Sequence, residues 1–162
     1  MLTISFVCLG NICRSPMAEA VFKKLVAERG LSSFFCVQSF ATSDYEEGNP
    51  VYPPAARTLE NHGVHGFLHR SRPIALADIK NSDYVLVMDN MNMTDIVRLT
   101  AGRYGQKIFK LGHFLTPQQD IADPYYTRDF EKAYSQIAAA CSAFLEYLIA
   151  NHGGALGIGT HS

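Results

Sequence analysis

An apolar run, Ile4 to Cys8, is followed at once by Leu9-Gly10-Asn11-Ile12-Cys13-Arg14-Ser15-Pro16 and then by apolar residues at helical spacing. No other feature constrains the fold as tightly. The run reads as a buried strand, and Ala18, Val21, Phe22, Leu25 and Val26 read as one face of a helix. Ser15 is the expected N-cap and Pro16 the expected first helical residue. Backbone joining a strand to a helix over so short a stretch must wrap tightly. Such a loop aims several N–H groups and the positive end of a helix at one point, which suits a phosphate.

Two side chains turn this cradle into a reaction centre. A thiol at a helix N-terminus beside an arginine is favoured as the thiolate, which makes Cys8 a nucleophile. Arg14 offers a planar fork of donors that matches two oxygens of a phosphoryl group. The Ser15 hydroxyl is placed to donate to the Cys8 sulfur. A buried cysteine before an ordinary turn is the bland reading of C-x5-R. Gly10-Asn11 within the loop and Ser15-Pro16 behind it favour the catalytic one. Departure of a leaving group needs an acid, and Asp123-Pro124-Tyr125-Tyr126 supplies one before the last helix. Its two tyrosines can wall a slot for a flat aromatic group, although Asp in such a place is also a common turn residue.

Strands and helices alternate along the chain. Phe34 to Ser39, Tyr84 to Asp89 and Lys107 to Leu111 read as further strands, and Ala55 to His62 as a helix closed by Gly63. Another helix ends near Leu99, and a long one carries Phe130, Ala133, Ile137, Cys141, Leu145 and Leu148 on one face. Thr42 to Pro54 reads as a long surface loop. The pattern predicts one α/β domain over residues 1–152, a doubly wound parallel sheet with helices on both faces. In such sheets ligands bind beyond the C-terminal strand ends, where Cys8 lies. Residues 153–162, rich in glycine, are expected to be a disordered tail.

Composition excludes several functions. A net charge of −1 with no dense Lys/Arg cluster offers no field for nucleic acid. No apolar stretch approaches transmembrane length, and Met1 to Leu9 lacks the marks of a signal peptide. Four cysteines without C-x2-C spacing suggest reduced thiols in the cytoplasm. Cys36 and Cys141 are expected in the core, and Met88, Met91 and Met93 at core edges. His62, His65 and His69 have no acidic or cysteine partners to complete a metal site, so no metal is expected. Asp89 reads as a helix cap.

From Leu2 to about Ile149 the chain resembles the low-molecular-weight protein tyrosine phosphatases. Cys8 to Ser15 looks like that family's phosphate loop and Asp123 to Tyr126 like its general-acid loop. Ala41 to Pro50 and the stretch from His69 to Ile74 are similar in type and order. The resemblance implies a four-stranded parallel sheet in the order 2-1-3-4. It makes Cys8 the nucleophile, Arg14 the phosphate clamp and Asp123 the acid and then the base. Phosphate would be bound by Leu9, Gly10, Asn11, Ile12, Cys13, Arg14 and Ser15. Asn11 would hold the loop with Ser15, Ser39 and His69, while Leu9, Ile12, Tyr45, Tyr125 and Tyr126 would line the aromatic slot. Cys13 would form a reversible disulfide with Cys8 under peroxide, and Asp89 takes on a possible supporting role. Implied substrates are phosphotyrosine-containing proteins or aryl phosphates, with inorganic phosphate or other oxyanions as product or inhibitors. No cofactor is called for, and a monomer is the default. Phe40 and Pro53-Pro54-Ala55-Ala56 depart from the pattern outside the catalytic loops.

Three rivals share the scaffold or its loop. Arsenate reduction needs further cysteines in the middle of the chain, and none lies between Cys36 and Cys141. A non-catalytic phosphate-binding module has no use for Cys8, Arg14 and Asp123 together. Arginine phosphatases resemble the chain but carry Thr where Ile12 stands. Ile12 is bulkier and cannot donate a hydrogen bond, which favours an aromatic substrate.

Overall fold

The structure is a computed structural model in which residues 1–156 are described. Four parallel strands form one sheet in the order β2-β1-β3-β4: β1 (Leu2–Cys8), β2 (Phe35–Ala41), β3 (Tyr84–Val87) and β4 (Ile108–Lys110). Among the described residues six α-helices accompany it: α1 (Arg14–Glu28), α2 (Pro53–Asn61), α3 (Leu76–Asn81), α4 (Asn90–Thr100), α5 (Pro124–Thr127) and α6 (Phe130–His152). The expected sheet order is the observed one.

The strand period of two sorts the core into two layers. Ile4, Phe6, Cys8 and Leu86 pack with α1, α2 and α6 on one face. Val7, Val85 and Val87 pack on the other with Ile79 of α3 and Ile96 of α4. Burial on both faces is why β1 and β3 read as continuous apolar runs. The strand order turns at β1, whose last residue pairs with Ala41. Cys8 therefore ends its strand at the switch point, on the C-terminal side of the sheet.

Several boundaries differ from the sequence reading. Helix α1 begins at Arg14 with Cys13 at its cap position, so Ser15 is inside the first turn and caps nothing. Its hydroxyl turns back into the loop instead. Cys36, expected in the core, is exposed. It lies on the edge strand, and the second layer, built on β1, β3 and β4, does not reach it. The short helices α3 and α5 carry too few turns for a periodic signal. Strand β2 runs on to Ala41, and a parallel bridge from Ala41 to Pro73 extends the edge. Phe40 is buried with the Arg72 guanidinium 4.4 Å from its ring centre. At the C-terminal end α6 runs to His152, and Leu156, expected within the disordered tail, is buried against the core. The rest of that tail lies outside the described residues.

Candidate active site

The loop after β1 is held from outside by its carbonyls. Cys8 O accepts from Thr42 N at 2.9 Å, Leu9 O from Ser43 N at 3.2 Å and Ile12 O from Tyr52 N at 2.9 Å. Gly10 O accepts from Ser71 Oγ at 2.7 Å. With the carbonyls turned outward, the amides of Gly10, Ile12 and Cys13 find no acceptor among the described residues. This is an anion cradle made of backbone. Asn11 makes the turn at φ 57°, a left-handed conformation that Asn tolerates better than most residues.

Cys8 Sγ lies at the base of the cradle. It accepts from the amides of Asn11 at 3.3 Å and Ser15 at 3.4 Å, and lies 3.0 Å from Ser15 Oγ. A chain of bonds sets the direction of that last contact. Ser39 Oγ donates to the buried Glu19 carboxylate at 2.7 Å and so must accept from Asn11 Nδ2 at 3.0 Å. The same Nδ2 donates to Ser15 Oγ at 2.7 Å, so the Ser15 proton is free to point outward, and the Cys8 sulfur at 3.0 Å is a nearer acceptor for it than the Phe40 carbonyl at 3.4 Å. Asn11 Oδ1 accepts from the Arg72 amide at 3.2 Å and from His69 Nε2 at 2.8 Å. Burial pulls His69 towards its neutral form, against the attraction of Glu19. The four residues expected to support the loop are thus one network, with Glu19 as a member that sequence reasoning missed. Its signal was a carboxylate between Ala18 and Ala20, on the apolar side of α1.

Arg14 is 2% exposed. Its Nη1 donates to Asp89 Oδ2 at 2.7 Å and to Ile121 O at 2.8 Å, and its Nη2 reaches Asp123 Oδ2 at 3.4 Å. Burial opposes the charge, but Cys8, Asp123 and Asp89 outweigh it and hold the guanidinium above its ordinary value. Nε is buried without a partner among the described residues. An orphaned donor of this kind asks for an acceptor, and a phosphoryl oxygen fits it. Asp89 also caps α4 through Asn92 N at 2.8 Å, so the expected cap has a second duty.

Asp123 caps the single turn of α5, its Oδ1 accepting from Tyr125 N at 3.0 Å. The loop that carries it is pinned to the sheet where Ile121 N donates to Met88 O at 3.0 Å. Cys8, Arg14 and Asp123, more than a hundred residues apart at the extremes, line one cleft of about 200 Å³. Leu9, Ile12, Tyr45, Tyr125 and Tyr126 line it too, with Glu46 added at the rim. Tyr125 is braced by Tyr52, with ring centres 5.2 Å apart. The Arg128 guanidinium lies 5.5 Å from the Tyr125 ring and donates to Tyr52 Oη at 2.9 Å. Tyr52 and Arg128 were not foreseen, since each is an unremarkable loop residue in sequence. Cys13, on the same loop, has its thiol pushed well up, first by burial and then by Cys8 and Asp123. Among the described residues no three His, Cys, Asp or Glu side chains cluster as a metal site. His62 instead stacks on Tyr134 and pairs with Glu131 at 2.7 Å.

Comparison with known proteins agrees with this fold over most of the chain. A rat low molecular weight phosphotyrosine protein phosphatase is 43% identical over 150 residues, covering 89% of this chain and 94% of the relative. The crystal structure of a protein tyrosine phosphatase from Entamoeba histolytica superposes with a TM-score of 0.86 at 34% identity, covering 95% of this chain and 99% of the other. A Drosophila arginine phosphatase superposes with a TM-score of 0.79 at 33% identity, covering 89% and 96%. The family model described as low molecular weight phosphotyrosine protein phosphatase matches residues 3–153. The match of the family model to nearly the whole chain, with a relative at 43% identity, shows that the chain belongs to the low molecular weight phosphotyrosine protein phosphatase family.

Proposed function

We propose that this chain hydrolyses phosphotyrosine and related aryl phosphate monoesters through a cysteinyl-phosphate intermediate. Cys8 Sγ attacks phosphorus while the bond to the aryl oxygen breaks, and Asp123 gives its proton to that oxygen. The phosphoryl oxygens are received by the loop amides and by Arg14 Nε and Nη2. In the second step the Asp123 carboxylate takes a proton from water, whose oxygen attacks phosphorus. The S–P bond breaks, phosphate leaves and the thiolate returns to the Ser15 hydroxyl. No step calls on a cofactor. The observation that carries this reading is Cys8 Sγ under three donors, beside an arginine whose Nε is buried and unclaimed.

Substrates on this reading are phosphotyrosine-containing proteins, with inorganic phosphate as product and other oxyanions as inhibitors. A thiol nucleophile works in a reducing compartment, which supports the cytoplasm, and we take the enzyme to act as a monomer. Under peroxide Cys13 would close a disulfide on oxidised Cys8 and spare it further oxidation. Buried Ile12, on the wall of the cleft, favours an aryl group over a guanidinium that needs hydrogen bonds.

The test is hydrolysis of phosphotyrosine, phosphoarginine and phosphoserine side by side, with chelator present and Cys8→Ser as control. Phosphotyrosine turnover that survives the chelator and vanishes in the variant is the expected result. Preferential turnover of phosphoarginine would transfer the site to the arginine phosphatase reading. No turnover of any of them, with phosphate still bound, would reduce it to a binding module.

A further inference from the structure

Leu9 stands between the catalytic cleft and a second hollow of about 390 Å³, lined with Met91, Asn92 and Tyr126 and bordered by Asp89 and Asp123. The two cavities share Leu9, Arg14, Asp123 and Tyr126, so the second opens directly beside the first. Its carboxylates and the Asn92 side-chain oxygen are already engaged. Asp89 accepts from Arg14 and from Asn92 N, Asn92 Oδ1 accepts from Met88 N at 3.1 Å, and Asp123 accepts from Tyr125 N. Arg14 Nε is assigned to the phosphoryl group in the cleft, so what this hollow offers a flanking side chain is the apolar surface of Leu9, Met91 and Tyr126. Met91 was expected at a core edge but is 71% exposed in the first turn of α4, and Tyr126 is 73% exposed. Two large apolar side chains left in water at the mouth of a cleft mark a surface that something covers.

We propose that this hollow is a subsite for an apolar side chain flanking the phosphotyrosine of a polypeptide substrate, with Met91 as its specificity-determining residue. The proposal rests on the phosphotyrosine reading above. Continuity with the cleft selects the occupant, because a polypeptide whose phosphotyrosine ring enters the slot must leave across its lip. Direction follows from contrast with the hollow on the opposite side of Leu9. Both hollows carry two aspartates and an arginine, but here Arg14 is buried between Asp89 and Asp123. In the other, lined by Asp44, Asp95 and Arg98, the arginine is 77% exposed and meets Asp95 only at 3.8 Å, so its water-facing charges disfavour an apolar guest. Methionine is unbranched and polarisable, so it adapts to leucine, methionine or phenylalanine alike.

The test uses short phosphotyrosine peptides that carry Leu, Ser or Asp in turn at each position flanking the phosphotyrosine, with p-nitrophenyl phosphate as a substrate that has no flanks. Leu at one position should raise kcat/KM on the order of 10-fold over Ser, as expected for side chains that differ by a few apolar carbons. Met91→Ser should abolish that preference and Met91→Leu should restore it, with p-nitrophenyl phosphate turnover unchanged in both. Equal rates for Leu, Ser and Asp at every position overturn the subsite while leaving the phosphatase reading intact. A Leu preference that persists in Met91→Ser also overturns it. Failure of the wild-type enzyme on p-nitrophenyl phosphate and on every peptide overturns both readings together.

Discussion

Among the described residues Arg14 is the largest buried side chain, and its charge is tolerable only because acceptors surround it. Asp89 serves both that charge and the N-terminus of α4, and two substitutions separate the duties. Asp89→Asn keeps an oxygen for the cap and removes the charge. It should lower kcat/KM for an aryl phosphate about 10-fold, the worth of one charge-assisted hydrogen bond, with little change in denaturation midpoint. Asp89→Ala should lose activity to a similar degree and, in addition, about 1 kcal/mol of stability as the cap goes. Equal stability of the two variants would remove Asp89 from the capping role. Asp123 is tested by leaving groups. Asp123→Ala should slow hydrolysis by about 10²–10⁴-fold for a poor leaving group and far less for a good one. Uniform slowing would take the acid's role from Asp123.

Among the elements, the segment between β4 and α5 has one 3-10 turn, Leu111–Phe114, and is otherwise irregular, yet it determines where Asp123 lies. Gly112 is the reason it can. A Cβ at that position would overlap the Gln119 carbonyl, so the chain can double back there only over glycine. Gly112→Ala should force Gln119 and Asp120 outward, costing about 1–3 kcal/mol. The turnover number should fall too, because Ile121 and Asp123 follow directly. Full activity with unchanged stability would show the turn to be pliable. The contact between β3 and α6 makes a different prediction. The Tyr84 hydroxyl is 2.8 Å from His152 Nε2. Burial, with Tyr147 adding to it, raises the Tyr84 phenol from its ordinary 10.0 to about 12. The folded state thus holds this proton more tightly than the unfolded one. Its contribution is complete below pH 10 and is lost as pH rises from 10 towards 12. Urea denaturation across that window should show a downward slope that is shallower in Tyr84→Phe. An identical slope would assign the alkaline loss to other groups.

At the scale of the whole molecule, the cradle gathers charge and dipoles that only an anion satisfies, so anion binding and folding must be linked. Orthovanadate or phosphate at about a hundred times its Kd should stabilise the protein by about 2.7 kcal/mol. That is a rise in Tm on the order of 5–10 °C for a chain of this size. Cys8→Ser should retain the rise with phosphate, and Arg14→Ala should lose it. A wild-type protein whose Tm ignores both oxyanions would mean that the cradle is closed to them.

Local chemistry was legible wherever it is written in consecutive residues. Cys8 to Ser15 declared a phosphate cradle because a strand, a tight loop and a helix start are each encoded by neighbours. Asp123-Pro124 declared a stiffened carboxylate for the same reason, and apolar runs declared a sheet buried on both faces. Legibility ended where one residue serves another far along the chain. Glu19 orients Ser15 through Ser39 and Asn11, and Ser71 holds the Gly10 carbonyl. Tyr52 and Arg128 brace a tyrosine, and Met91 faces water instead of a core. Apart from the carboxylate of Glu19 on an apolar helix face, none of these has a local signature, because side-chain direction and exposure follow from which elements the fold packs together. The sequence by itself determined the candidate reacting groups, through their spacing in a short loop, and the layer architecture, through hydrophobic period. Tertiary structure alone decided which carboxylate meets Arg14, which way the Ser15 proton points and what surface flanks the cleft, since these depend on distances between segments that the chain's order does not encode.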